Sequence, residues 1–224
     1  MKKEAEQEWK NITIAVKSVD WKGHPITIQN VPAQQQTKTK RYIVDPIDVA
    51  KAEFTGIAKE NGIEDRDIML FLLLYAKPGP FQRGYLFQKY KINKMLFYQW
   101  KELEKEGLGD VIPKDEFEAK DKGPVPKNLW KDLTRLNQAG FLNVSGGKKE
   151  KKPVEVELTP KGVEVAEKLW NRIPDPYLGV TSRVKDIFFL MSPMEIMGKV
   201  HHEYPEYRKT YRYPDKEEVI LVRI

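Results

Sequence analysis

FLNVSGGKKEKKPVEVELTPKG, residues 141–162, decides how the rest of the chain is read. FLNVS and VEVEL carry the two-residue alternation of strands, and Gly146-Gly147 between them supplies a turn. Thr159 and Pro160 then stand where a helix takes its N-cap and its first residue. The stretch predicts a β-hairpin that runs straight into a helix through Trp170. Its tip holds Lys148, Lys149, Lys151 and Lys152. Four ammoniums packed so closely repel one another unless an anion lies near. Laid along phosphates, they would give binding that falls steeply with salt.

Upstream lie three helical patterns. Residues 126–138 place Leu129, Leu133 and Leu136 on one face at i, i+4 and i+7. Residues 92–106 do the same with Ile92, Met95, Leu96, Trp100 and Leu103. Residues 64–76 contain IMLFLLLYA, apolar enough to be buried on most sides, and Lys77-Pro78-Gly79-Pro80 breaks the run. Three helices, a basic hairpin and a fourth helix follow the order of a winged helix-turn-helix. The predicted fold class is α+β: a winged-helix core over 63–173, an N-terminal β-hairpin and helix appendage over 1–62, and a C-terminal helical extension over 174–224.

The appendage reads as strands in NITIAVKSV, PITIQNV and RYIVD, with a polar, basic connector over 33–40. Asp45-Pro46 opens a helix with Ile47, Ala50, Phe54, Ile57 and Ala58 on one face, and Asn61-Gly62 ends it. After Pro174-Asp175-Pro176, helices are expected over 180–190 and 193–203. The closing EEVILVRI is strand-like and could join the N-terminal strands.

Composition narrows the functional classes. The 224 residues hold no cysteine, which excludes disulfides, thiol catalysis and every cysteine-ligated metal site. The three histidines are His24, His201 and His202, and the adjacent pair points apart with no third ligand near in sequence. No phosphate-cradling glycine loop or nucleophile elbow is present. No apolar run approaches the ~20 residues a membrane helix needs. The expectation is a cytoplasmic, non-enzymatic protein with no cofactor, no metal and no membrane attachment. The high Lys and Glu content has a thermophile-like cast.

A net charge of +6 is compatible with nucleic acid, and its placement matters more than its size. On helix 126–138 the polar residues left for the outer faces are Lys127, Asn128, Lys131, Thr134, Arg135 and Gln138. Arg, Asn and Gln can read base edges, while Lys and Thr hold phosphates. A second basic stretch, 81–101, has Arg83, Lys89, Lys91 and Lys94 interleaved with aromatic residues and not one acid. Rings between bases suit unpaired bases, although Phe97 and Trp100 fit the core pattern.

INKMLFYQW (92–100), EFEAKDKGPVPKNLWKDL (116–133) and LTPKG (158–162) resemble the Panacea domain, a family of small winged-helix-like antitoxins and phage-associated proteins. Lys94, Leu96, Tyr98, Phe117, Ala119, Gly123, Pro124 and Val125 match the family's order, and MSPMEIMGKVHHEYP (191–205) is similar to its closing helix. The resemblance spans roughly 85–205. It departs at Lys120, where the family often has an aromatic, and residues 1–62 lie outside it. It implies the winged fold and an antitoxin-like role. Gly123 is suited to a positive φ and Pro124 to rigidity, so the motif would set how the next helix leaves the loop.

Three roles are therefore expected of the chain. The first is a dimeric DNA-binding regulator with helix 126–138 in the major groove and the lysine tip as wing. The second is an RNA- or ribosome-associated factor using 81–101. The third is an antitoxin-like adaptor that binds a protein partner.

Overall fold

The structure is a computed structural model, and it describes residues 9–19, 25–37, 39–76, 87–109, 116–120, 123–147 and 151–207. Strands β1 (Trp9–Val19) and β2 (Pro25–Gln36) form a long antiparallel ribbon, with β3 (Tyr42–Ile43) on the far edge of β2. A register shift between Ile14 and Val16 faces Asn30, which takes a positive φ of 59°. Ile28, Val31 and Ala33 of β2 are buried, and the ribbon leans on α1 (Pro46–Asn61) through that strand. The Asp45 carboxylate accepts the Ile47 N–H at 2.8 Å, and Gly62 closes the helix in the left-handed conformation.

Helix α2 (Asp65–Tyr75) is the hub. Every residue from Ile68 to Ala76 is buried, because α1, α3, α5, α6 and the second hairpin strand surround it. Short strand β4 (Phe87–Gln88) leads into α3 (Lys89–Lys105), and α3 leads to a small hairpin of β5 (Phe117–Lys120) and β6 (Gly123–Pro126). Helix α4 (Leu129–Gln138), β7 (Leu142–Gly147), β8 (Lys152–Leu158) and α5 (Pro160–Arg172) follow. The sheet order is β4-β8-β7, with Phe87 opposite Val156 and Val144 opposite Val156 on the other side. Helices α6 (Asp175–Phe189) and α7 (Pro193–Glu203) and a 3-10 turn at Pro205–Tyr207 complete the described chain. The α+β class is as expected.

The LTPKG turn shows why its residues are needed. Thr159 accepts the Gly162 N–H at 3.0 Å and donates to the Gly140 carbonyl at 2.7 Å. A methyl on Gly162 would meet the Phe141 carbonyl oxygen at 2.0 Å, so only glycine lets α5 start this close to β7.

Three expectations change. Gly-Pro-Val-Pro is a strand rather than a loop, because its backbone pairs with Phe117–Lys120. Consequently α4 begins at Leu129, not Pro126: Lys127 is still donating its N–H to the Glu116 carbonyl at 2.7 Å. Pro174-Asp175-Pro176 opens α6 five residues earlier than expected, with a proline in its first turn. The terminal EEVILVRI lies outside the described residues.

One hydrophobic cluster joins all of these helices. Phe54 of α1 and Tyr177 of α6 have ring centroids 4.8 Å apart, and Phe97 of α3 packs edge-on to Tyr204 after α7. Lys185 of α6 is fully buried and donates to the Leu73 carbonyl and, at 3.4 Å, to that of Leu74. It thus serves the unsatisfied carbonyl end of α2, where a cation is favoured. Burial pushes its ammonium pKa down to about 7.

Candidate nucleic-acid interface

Leu129, Leu133 and Leu136 turn one side of α4 into the core, and β7 packs beside it. Asp132, the only acid in α4, goes inward with them and is 5% exposed. It accepts from Arg66 at 3.0 Å. Burial raises its carboxyl pKa, with Arg66 and Arg135 opposing and Asp67 and Glu64 reinforcing. Arg135 turns toward the N-terminus of α2, where its guanidinium donates at 2.7 Å to both oxygens of the buried Asp67 and lies 3.6 Å from Glu64. Arg66 lies 2.6 Å from Glu64. Two guanidiniums and three carboxylates thereby clamp α4 to α2.

The outer face of α4 is what remains. Lys127, Lys131, Thr134 and Gln138 are exposed there, as is Asn137, and Asn128 is half-buried at the helix start. The Thr134 hydroxyl donates to the Trp130 carbonyl at 2.8 Å. Trp130 itself is 51% exposed, and the Lys89 ammonium sits 4.2 Å from its ring centroid. Burial lowers the Lys89 pKa. Lys161 of α5 donates to the Ala139 carbonyl at 2.8 Å and so caps the end of α4. At the hairpin tip Lys151 and Lys152 are exposed, Lys151 with a positive φ of 54°. Lys148, Lys149 and Arg83 lie outside the described residues.

Two expected contacts are corrected. Arg135 is committed to Asp67, so the guanidinium expected to read bases is held by the protein's own carboxylates. Lys94 is fully buried and donates to the Pro124 carbonyl at 2.7 Å. Its burial brings its pKa down to about 7. Lys91 is half-buried and donates to the Phe189 carbonyl at 3.2 Å, tying α3 to α6. Phe97, Tyr98 and Trp100 are buried as well. Of the described part of the basic–aromatic stretch, Lys89, Tyr90, Lys91 and Lys101 are half-buried, and Lys94, Phe97, Tyr98 and Trp100 are inside.

Lys94 meets the Gly-Pro-Val strand at its first two residues. Gly123 has φ +84°, and a methyl there would come within 3.0 Å of His201 Nε2 and 3.2 Å of Lys94 Nζ. Lys94, Gly123, Pro124 and His201 thus come from three separate stretches to one buried spot. Among the described residues, no group of three His, Asp or Glu side chains could hold a metal ion. No described helix is long and apolar enough to cross a membrane. A crevice between Arg66, Glu116, Phe117 and Leu129 has a volume of about 20 Å³, room for a water but not for a cofactor.

The chain matches no family model, no curated protein and no solved structure. Its function is therefore argued from its own geometry.

Sequence reasoning listed the polar residues of α4 and passed over Trp130. The signal was there: Trp130 stands one position off the Leu129–Leu133–Leu136 stripe, which puts a large ring about 100° away from the core. The Lys89 partner had no such signal, since it starts α3 and is far from Trp130 in the chain.

Proposed function

We propose that the chain is a non-enzymatic nucleic-acid-binding protein built as a winged helix, with α4 as its presenting helix and the β7–β8 hairpin as its wing. The element order α2, β4, α3, α4, β7, β8, with β4 pairing across to β8, supports the winged-helix reading. One observation carries the functional part. The single acid of α4 is buried and paired, which leaves an acid-free outer face with Lys127 and Lys131 beside a hairpin that exposes Lys151 and Lys152. Such a surface attracts phosphate backbones.

Within this proposal the Panacea-like residues have an architectural role. Lys94, Gly123 and Pro124 meet the closing helix at His201 and hold the strand that leads into α4. Duplex reading by α4 in the major groove, the form expected of a DNA regulator, loses its best base-reading side chain in Arg135. Backbone-anchored binding is thus the better-supported form.

The test is binding of labelled mixed-sequence DNA and RNA over a salt series, to the intact protein and to a variant with Lys127, Lys131, Lys151 and Lys152 changed to Gln. Affinity should fall with salt, and the salt slope should shrink by about 1 for each phosphate contact removed. Absent or salt-independent binding to every polymer would overturn the proposal and leave the protein-adaptor role.

A further inference from the structure

Trp130 is the most exposed of the described tryptophans: Trp9 is 37% exposed and Trp100 only 2%, against 51% here, while Trp170 packs against Tyr75. It lies outside the leucine stripe that fixes α4, so its ring does not hold the helix in place. Trp130 is therefore a half-exposed ring on a polar face, amphipathic and still open to a ligand that would cover it.

Its surroundings say what would. Lys89 reaches the ring from far away in sequence, and its backbone is fixed because β4 pairs with β8 through Phe87–Val156 and Gln88–Glu155. Lys127 and Lys131 stand three residues before and one residue after the tryptophan, both exposed. The acid of this helix is on the opposite side. A flat aromatic surface with one ammonium over it and two exposed lysines nearby in the chain matches a nucleotide, whose base offers a π-face and whose phosphates carry the negative charge. Bases inside a duplex already have both faces stacked, so a free face is found on an unpaired base. The guanidinium a helix would use on duplex base edges is turned away into Asp67.

We infer that Trp130, with Lys89 over its ring and Lys127 and Lys131 beside it, is a stacking site for an unpaired base of single-stranded nucleic acid. This rests on the nucleic-acid reading above and narrows it to one ligand chemistry, which single-stranded DNA and RNA share.

The experiment measures binding of a labelled unstructured DNA strand, the matching RNA strand and the DNA duplex to the full chain. Trp130→Ala and Trp130→Phe are measured alongside, with thermal melting as a check that each variant is folded. One or both single strands should bind tighter than the duplex. Trp130→Ala should weaken single-strand binding about 5- to 100-fold, the range for losing one base–aromatic stack, and leave duplex binding within about twofold. Trp130→Phe should keep most of the affinity, because it keeps a ring. The DNA and RNA arms identify the sugar by whichever binds tighter. Salt-dependent binding that prefers the duplex, or that is indifferent to Trp130→Ala, would overturn the stacking site and leave the wider function standing. Failure of every polymer to bind would remove both.

Discussion

Helices α3 and α4 look alike in sequence and meet opposite fates. Both mix lysines with large rings, and α3 has the longer acid-free run. Yet Lys94, Phe97, Tyr98 and Trp100 of α3 are buried, while Lys127, Trp130 and Lys131 at α4 are exposed. The difference lies in the neighbours. α3 is packed by α2, α6, α7, β6 and β8, whereas α4 rests chiefly on β7 and is held to α2 by ion pairs. Composition marks a helix as basic and aromatic; the number of sides that are covered decides whether those residues meet solvent.

The contrast can be broken most forcefully at its rings. Phe97→Ala should cost about 3–5 kcal/mol of stability in denaturant unfolding, since Phe97 is fully buried among Trp100, Phe117 and Tyr204. A cost near zero would mean that α3 is not the core helix described. Arg135→Ala should cost about 2 kcal/mol, because Asp67, 1% exposed, is left without the guanidinium that satisfies both its oxygens. Adding Asp67→Asn on that background should recover part of the loss, and a double-mutant cycle measures the coupling.

Gly123→Ala should cost about 1–2 kcal/mol for the left-handed backbone alone, with crowding against His201 and Lys94 adding to it. Unfolding of the Ala variant at unchanged stability would show that the strand before α4 can shift.

The buried lysines make stability depend on pH. Lys94 and Lys185 hold their protons less tightly in the folded state, with pKa values of about 7 against 10.5 for an ordinary lysine. Between these values the unfolded chain binds more protons, so stability rises with pH across that window and their contribution is flat below it. The slope should be on the order of 1 kcal/mol per pH unit for each lysine. Lys185→Met should remove its share, measured as stability at pH 7 and pH 10. At the small end, Trp130→Ala should change stability by no more than about 0.5 kcal/mol, the range for an exposed site. The pair Phe97→Ala and Trp130→Ala is the sharpest single check on the comparison.

Much of the scaffold could be read directly from local signals. Asp45-Pro46 and Thr159-Pro160 each open the helix they predict, and the helix expected from 193 starts there, with Ser192 accepting the Glu195 N–H at 3.3 Å. FLNVS and VEVEL pair as a hairpin with Leu142 opposite Leu158. These features depend on residues within a few positions of one another. Gly-Pro-Val-Pro misled because two prolines suggest a loop, and the local pattern did not mark its pairing with Phe117–Lys120. For the candidate site, Lys127, Lys131, Lys151 and Lys152 were recognisable as charge on predicted elements, and their exposure follows from their places in those elements.

The sequence by itself determined the order of the seven described helices, the strands of the N-terminal ribbon, the leucine stripe of α4, the basic hairpin and the absence of thiol chemistry. Those follow from periodicity, capping and residue type, which act over a turn or two. Only the tertiary structure decided that Arg135 serves Asp67, that Lys94 is enclosed at Pro124 and that Lys89 stands over Trp130. Each of those pairs two residues distant in the chain. Whether a charge is spent inside the protein or left for a ligand depends on what folding brings next to it.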